Sequence, residues 1–262
     1  MKTEILLSRE PGSPIATVTL SNPRKLNAIS TAMWCSLKET MDELHRDESL
    51  RCIVIRGEGK AFAAGGDVEE FLTVRDDFES AKVYHGKWVA GALGAIVACR
   101  HPVVAMIEGP CVGGGLEIAS CCDLRIAAAG AKFGAPIMKL GFTMAATELV
   151  GLVALAGPAV VLEILLEGRL FSAQEAYEKG LVTRVVLDEA VAEESYAAAG
   201  RIAKGAPLVA RAHKQLVRRL VATVQALSDT ETRDNFAFLD SEDYREGLKA
   251  FLEKRSPQFK GC

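Results

Sequence analysis

Along this chain, short apolar runs alternate with segments whose apolar positions recur at helical spacing. Residues 15–20, 52–56, 103–107, 124–128 and 183–187 are short and rich in Val and Ile or plainly apolar. That is the pattern of strands buried on both faces. Between the first two, Met33, Leu37, Met41 and Leu44 fall on one helical face, and 78–100 also reads as helix before the next strand. Such alternation predicts an α/β core with crossover connections. Ser172 and Glu175 fit a capping box and Gly180 a helix-ending position, which places a short helix at 173–179. From Glu189 onward the pattern is nearly all helical. The expected organisation is a core over 1–188 and a helical region over 189–262.

Composition narrows the class. The 262 residues are 49% hydrophobic and 25% charged, which suits a folded globular protein. A net charge of −3 gives no global attraction to nucleic acid or anionic membrane, so neither is expected as a partner. The basic run at 211–219 reads as a solvated helix face. The longest uncharged stretches, 88–99 and 149–162, fall short of a bilayer span, and Pro158 interrupts the second. The first residues lack the apolar run of a signal peptide. Seven cysteines with no CxxC pair read as reduced core residues in a cytoplasm.

Dinucleotide, P-loop, zinc-protease and serine-hydrolase signatures are absent, and the four histidines show no metal-ligand spacing, so they read as structural. Two glycine clusters carry the chemistry instead. One runs from Gly57 to Asp67 and the other from Glu108 to Glu117, each directly after an expected strand and before a helical pattern. Open α/β sheets place ligands at that end of their strands. Backbone N–H groups at a helix start stabilise an anion or a developing oxyanion. The alternative is a pair of tight turns that need glycine only for backbone angles. Glu117 follows three glycines and precedes an apolar run, so partial desolvation would suit it to proton transfer. An exposed first-turn acid favoured by the helix dipole gives the same spacing.

At these loops the sequence resembles the crotonase superfamily, the enoyl-CoA hydratase/isomerase family. The resemblance runs through residues 18–28, Phe62-Ala-Ala-Gly-Gly-Asp67, Gly113-Gly-Gly-Leu-Glu117, Cys122-Asp-Leu124, Phe133-Gly-Ala-Pro136, 168–176, 180–182 and 246–254, essentially the whole chain. It implies a spiral of ββα repeats with a C-terminal helical trimerisation region, assembled as a homotrimer or hexamer. It also implies a coenzyme A thioester substrate whose oxygen is held by the amides of Gly66 and Gly114. Coenzyme A then arrives as part of the substrate, and no separate cofactor or metal is implied. Carried over position by position, Arg24, Leu26, Ala28, Ala64, Asp67 and Val68 contact CoA, and Phe251 and Lys254 reach over from a neighbouring subunit.

One departure changes the picture. Family hydratases pair the Glu117 position with a second glutamate just after the proline of the Phe-x-x-Pro segment, where this chain has Ile137. Losing a positioned acid or base costs about 100- to 10,000-fold. Glu148 is either a displaced second acid or an early-turn helix acid. The resemblance implies an acyl-CoA lyase working through a thioester enolate. Hydration of an enoyl-CoA leads, with malonyl-type decarboxylation or enoyl-CoA isomerisation as alternatives and a non-catalytic acyl-CoA-binding protein as the reading from another class. Phe71, Trp88, Phe142 and Met144 are either core or walls of an acyl pocket.

Overall fold

A computed structural model describes residues 3–221 and 228–260. Its central sheet has six strands in the order β1 (Glu4–Ser8), β2 (Ile15–Ser21), β3 (Cys52–Gly57), β4 (Val103–Ile107), β6 (Leu124–Ala128) and β9 (Arg184–Val186). From β2 to β9 the pairing is parallel, and β1 closes one edge antiparallel. A second sheet joins the short strands β5 (Pro110–Val112), β7 (Lys132–Gly134) and β8 (Phe171–Ser172). The five strands expected from the apolar runs form within a residue or so of their predicted limits. Alternation explains why they are apolar throughout. Ile53, Ile55, Val103, Ala105 and Ile107 join the large core cluster, while Val54, Val104 and Met106 point to the other face. That second face is covered by Val191, Ala198 and Ala199 of helix α8 (Val191–Lys204).

Helix α1 (Thr31–Arg46) starts where the Ser30 side chain accepts from the Met33 amide, and it buries Met33, Trp34, Leu37, Met41 and Leu44. The expected helix over 78–100 is broken into α3 (Phe78–Val83), a π-helical segment Tyr84–Val89, and α4 (Ala90–Ala98). It follows the single turn α2 (Phe71–Val74). Helix α5 (Gly114–Cys121) carries the second glycine cluster, and α6 (Ala146–Glu167) packs against it. By length and composition α6 could cross a membrane. Gly157, in non-helical backbone (φ 76°, ψ 166°), and Pro158 interrupt it. Helix α7 (Ala173–Glu178) has its Ser172 cap and ends at Gly180 (φ 80°).

After α8 come α9 (Pro207–Val221), α10 (Asp229–Asn235) and α11 (Glu242–Leu252). Residues 222–227, 261 and 262 of the expected helical region lie outside the described residues. The basic run on α9 corrects one expectation, because it is not simply solvated. Lys214 ion-pairs with Asp123 at 2.9 Å, and Arg218 donates to the Cys121 carbonyl at 2.7 Å and to Asp123 at 3.1 Å. These cations fasten α9 to the end of α5, where helix carbonyls lack helical partners. The six cysteines among the described residues are free, five of them buried.

Candidate active site

The two glycine clusters meet. Strand β3 delivers the 57–67 loop and β4 and β5 deliver the loop before α5, and Ala63 bridges Cys111 between them. Gly113 has φ 49° and ψ −118°, a conformation that disfavours any side chain, and it turns the chain into α5. The Gly114 amide then stands close to Gly66: a Cβ built on Gly114 would lie 3.4 Å from the Gly66 nitrogen and 3.0 Å from Trp34 Cζ2. Gly66 sits in a parallel bridge with Ile29 in which the Ile29 amide donates to Gly65 and the Asp67 amide donates to Ile29. Neither the Gly66 nor the Gly114 amide donates to a backbone carbonyl among the described residues. Two free N–H groups therefore converge, one of them at a helix start, which is the arrangement that stabilises an oxyanion.

A cavity of about 420 Å³ opens on these amides. Glu117, one turn into α5, lines it and is 6% exposed. Burial pushes its carboxyl well above the usual carboxylate range, the nearby Glu148 pushes it further, and the Arg75 charge opposes both. The first-turn acid of α5 is thus desolvated, the condition a proton donor needs near neutral pH.

Across the cavity stands a second carboxyl. Glu148 caps α6, as an early-turn helix acid does, and it also lines the cavity. Its Oε2 accepts from the Ala145 amide at 3.1 Å, and its Oε1 meets His85 Nδ1 at 2.5 Å. The other ring nitrogen, Nε2, lies 2.9 Å from Arg75 Nη1. A guanidinium only donates, so Nε2 is the bare nitrogen and Nδ1 carries the proton donated to Glu148. All three side chains are buried. Ile137 also lines the cavity, so the aliphatic side chain does face the chemistry. His85, expected to be structural, is buried and hydrogen-bonded on both ring nitrogens, and it also lines the cavity. Its partners lie 10 and 63 residues away in the sequence, and no local pattern marks it.

Arg24, Leu26, Ala28, Ala64, Asp67, Val68 and Phe251 line the same cavity, and Lys254 does not. Phe251, assigned by the resemblance to a neighbour's site, here lines the cavity of its own chain. Lys25 adds a cation to the lining, but it donates to Asp67 at 2.7 Å and Glu69 at 2.8 Å, which raises its pKa. Phe71 and Phe142 are cavity walls, while Met144 is buried in the core and the half-buried Trp88 packs against it.

An α/β core that presents two converging amides above a desolvated carboxyl defines an enzyme site for a polarised carbonyl. The enoyl-CoA hydratase/isomerase family matches residues 10–262, and the chain belongs to it, as an acyl-CoA-processing, lyase-type enzyme of the crotonase superfamily. A relative named "Probable enoyl-CoA hydratase" from Mycobacterium leprae is 36% identical over 248 residues, covering 94% of each chain. An enoyl-CoA hydratase/carnitine racemase structure from Magnetospirillum magneticum has a TM-score of 0.82 at 47% identity, covering 100% of this chain and 97% of that one. Methylmalonyl-CoA decarboxylase bound to 2-nitronate-propionyl-CoA gives a TM-score of 0.87 at 29% identity, covering 98% of each.

Proposed function

We propose that this chain adds water to the double bond of a 2-enoyl-CoA thioester, with Gly66 and Gly114 as oxyanion donors and Glu117 and Glu148 sharing the proton transfers. The observation that carries this reading is that Glu148 enters the same buried cavity as Glu117. It supplies from α6 the carboxyl that position 137 lacks. Glu148, held by the His85 ring and the Ala145 amide, takes a proton from water as the water oxygen bonds to the β-carbon. The electron pair of the C=C bond moves onto the thioester oxygen, where each amide donor is worth roughly 3–4 kcal/mol. Glu117, kept protonated by burial, gives its proton to the α-carbon. One proton is gained by Glu148 and one lost by Glu117, and exchange between them or with solvent restores the site.

Coenzyme A enters as part of the substrate along Arg24, Leu26, Ala28, Ala64, Asp67, Val68 and Phe251. Lys254 is kept as a contact made from a neighbouring subunit. A homotrimer or hexamer is supported by the exposed apolar residues of α9, Leu208, Val209, Leu216, Val217 and Leu220, which nothing in a single chain covers among the described residues. The cytoplasm is the proposed location.

The test is loss of enoyl-thioester absorbance when the protein meets crotonyl-CoA, with Glu117→Gln as comparison. Hydration by the native protein and its loss in the variant, with CoA-ester binding retained, is the expected result. Decarboxylation of a malonyl-type thioester is the second reading, favoured by the aliphatic Ile137 wall and the likeness to methylmalonyl-CoA decarboxylase. No hydration together with CO₂ release from methylmalonyl-CoA would replace the first reading by the second.

A further inference from the structure

Arg75 is buried completely, and a guanidinium is costly to desolvate. Its plane is clasped between aromatic rings, with the central carbon 3.6 Å from the Phe71 centroid and 4.1 Å from that of Phe142. One arm, Nη1, is bonded to His85. The opposite edge, Nε and Nη2, has no hydrogen-bond partner among the described residues. The Tyr244 hydroxyl stands beside the guanidinium and interacts with its charge, but it makes no well-directed hydrogen bond to the free nitrogens. Buried donors left unmade are strongly unfavourable, so this edge is shaped for something the chain does not itself provide.

The identity of the two orphan atoms says what that is. Nε and Nη2 carry N–H bonds that run parallel along one edge of the planar group, the spacing two oxygens of a carboxylate match. Arg75 lines the cavity that holds Glu117, Gly66 and Gly114. A single ring separates it from the oxyanion donors, since the Phe71 edge on which Arg75 stacks would lie 2.9 Å from a Cβ at Gly66. His85, neutral and bonded to Nη1, keeps the Glu148 carboxylate off the free edge.

We propose that Arg75 makes this site selective for CoA thioesters whose short acyl chain ends in a second carboxylate, held bidentately through Nε and Nη2. The proposal rests on the acyl-CoA reading given above. It also bears on the reaction. A carboxylate gripped this way is stabilised in the ground state, so expelling it as CO₂ would require giving up both charge-assisted bonds. The held group is therefore an anchor, and the chemistry takes place at the thioester end.

The experiment is calorimetric binding of glutaryl-CoA and pentanoyl-CoA, which have equal chain length and no double bond to hydrate, so the readout does not depend on turnover. In the native protein glutaryl-CoA should bind about 10- to 100-fold more tightly. Arg75→Met should lose the preference, and Arg75→Lys, which keeps the charge without the parallel pair, should lose most of it. Equal binding of the two thioesters by the native protein overturns the carboxylate proposal and leaves the acyl-CoA reading standing. A preference undiminished in both variants also overturns it, and binding of neither thioester overturns both readings. If a variant does not fold, the native comparison decides alone.

Discussion

The two walls of the cavity are built by different means. On one side, Gly66 comes from a loop and Gly114 and Glu117 from the first turn of α5, so that backbone amides and one carboxyl are set by local chain geometry. On the other, Arg75, His85 and Glu148 come from three separate elements and are joined only by side-chain hydrogen bonds. The first wall positions charge chiefly with backbone amides, which have no rotamers to lose, plus one side-chain carboxyl, so most of it is preorganised at little entropic cost. The second must desolvate and align three polar side chains, and it holds together because each satisfies the next. In the proposed reaction the backbone wall stabilises the oxyanion. The side-chain wall adds a second carboxyl brought in by α6 and a guanidinium edge without a hydrogen-bond partner among the described residues.

The contrast can be broken most sharply at Gly114. A methyl there would enter the space beside the Gly66 amide and crowd Trp34, while the residue itself lies in ordinary helical backbone. Gly114→Ala should therefore lower kcat by about 100- to 1,000-fold, measured on crotonyl-CoA hydration, with only a modest drop in melting temperature from crowding Trp34. Turnover like that of the native protein would show that the amides are not the oxyanion donors.

A smaller effect, on stability, sharpens the same comparison. Glu117 has its folded-state pKa raised above its unfolded value, chiefly by burial. The folded protein thus holds a proton that the unfolded chain releases. Stability from this group is fully present below the unfolded pKa and is lost as pH rises through the folded one. Glu117→Gln has no such proton, so its melting temperature relative to the native protein should climb steadily from pH 4 toward pH 8. A difference that stays flat with pH would mean the carboxyl is not desolvated.

Much of the first wall was legible in the sequence, because glycine clusters after apolar strands mark a local backbone event. The central strands and α1 were legible for a related reason, since burial on two faces or on one helical face leaves a periodic trace. Other parts left none. Strand β1 has no buried residue and lies at an edge, and β5, β7 and β8 are two or three residues long. Helix α6 is apolar nearly all round, so it shows a run rather than a period. The π-helical segment carrying Tyr84 and His85 interrupts a stretch that reads as one helix. The Arg75, His85 and Glu148 wall depends on long-range contact alone. Only Glu148 was singled out, and its value lay in where α6 docks against α5.

The central claim is that Glu148 replaces the acid absent at position 137, and its most direct test is crotonyl-CoA hydration by Glu148→Gln. Glutamine keeps one acceptor, for His85, loses the one that the Ala145 amide uses, and cannot take a proton from water. The expected result is a fall in kcat of about 100- to 10,000-fold with thioester affinity close to native, alongside a modest drop in melting temperature from the lost Ala145 cap. A kcat equal to that of the native protein would contradict the account and reduce Glu148 to a helix cap.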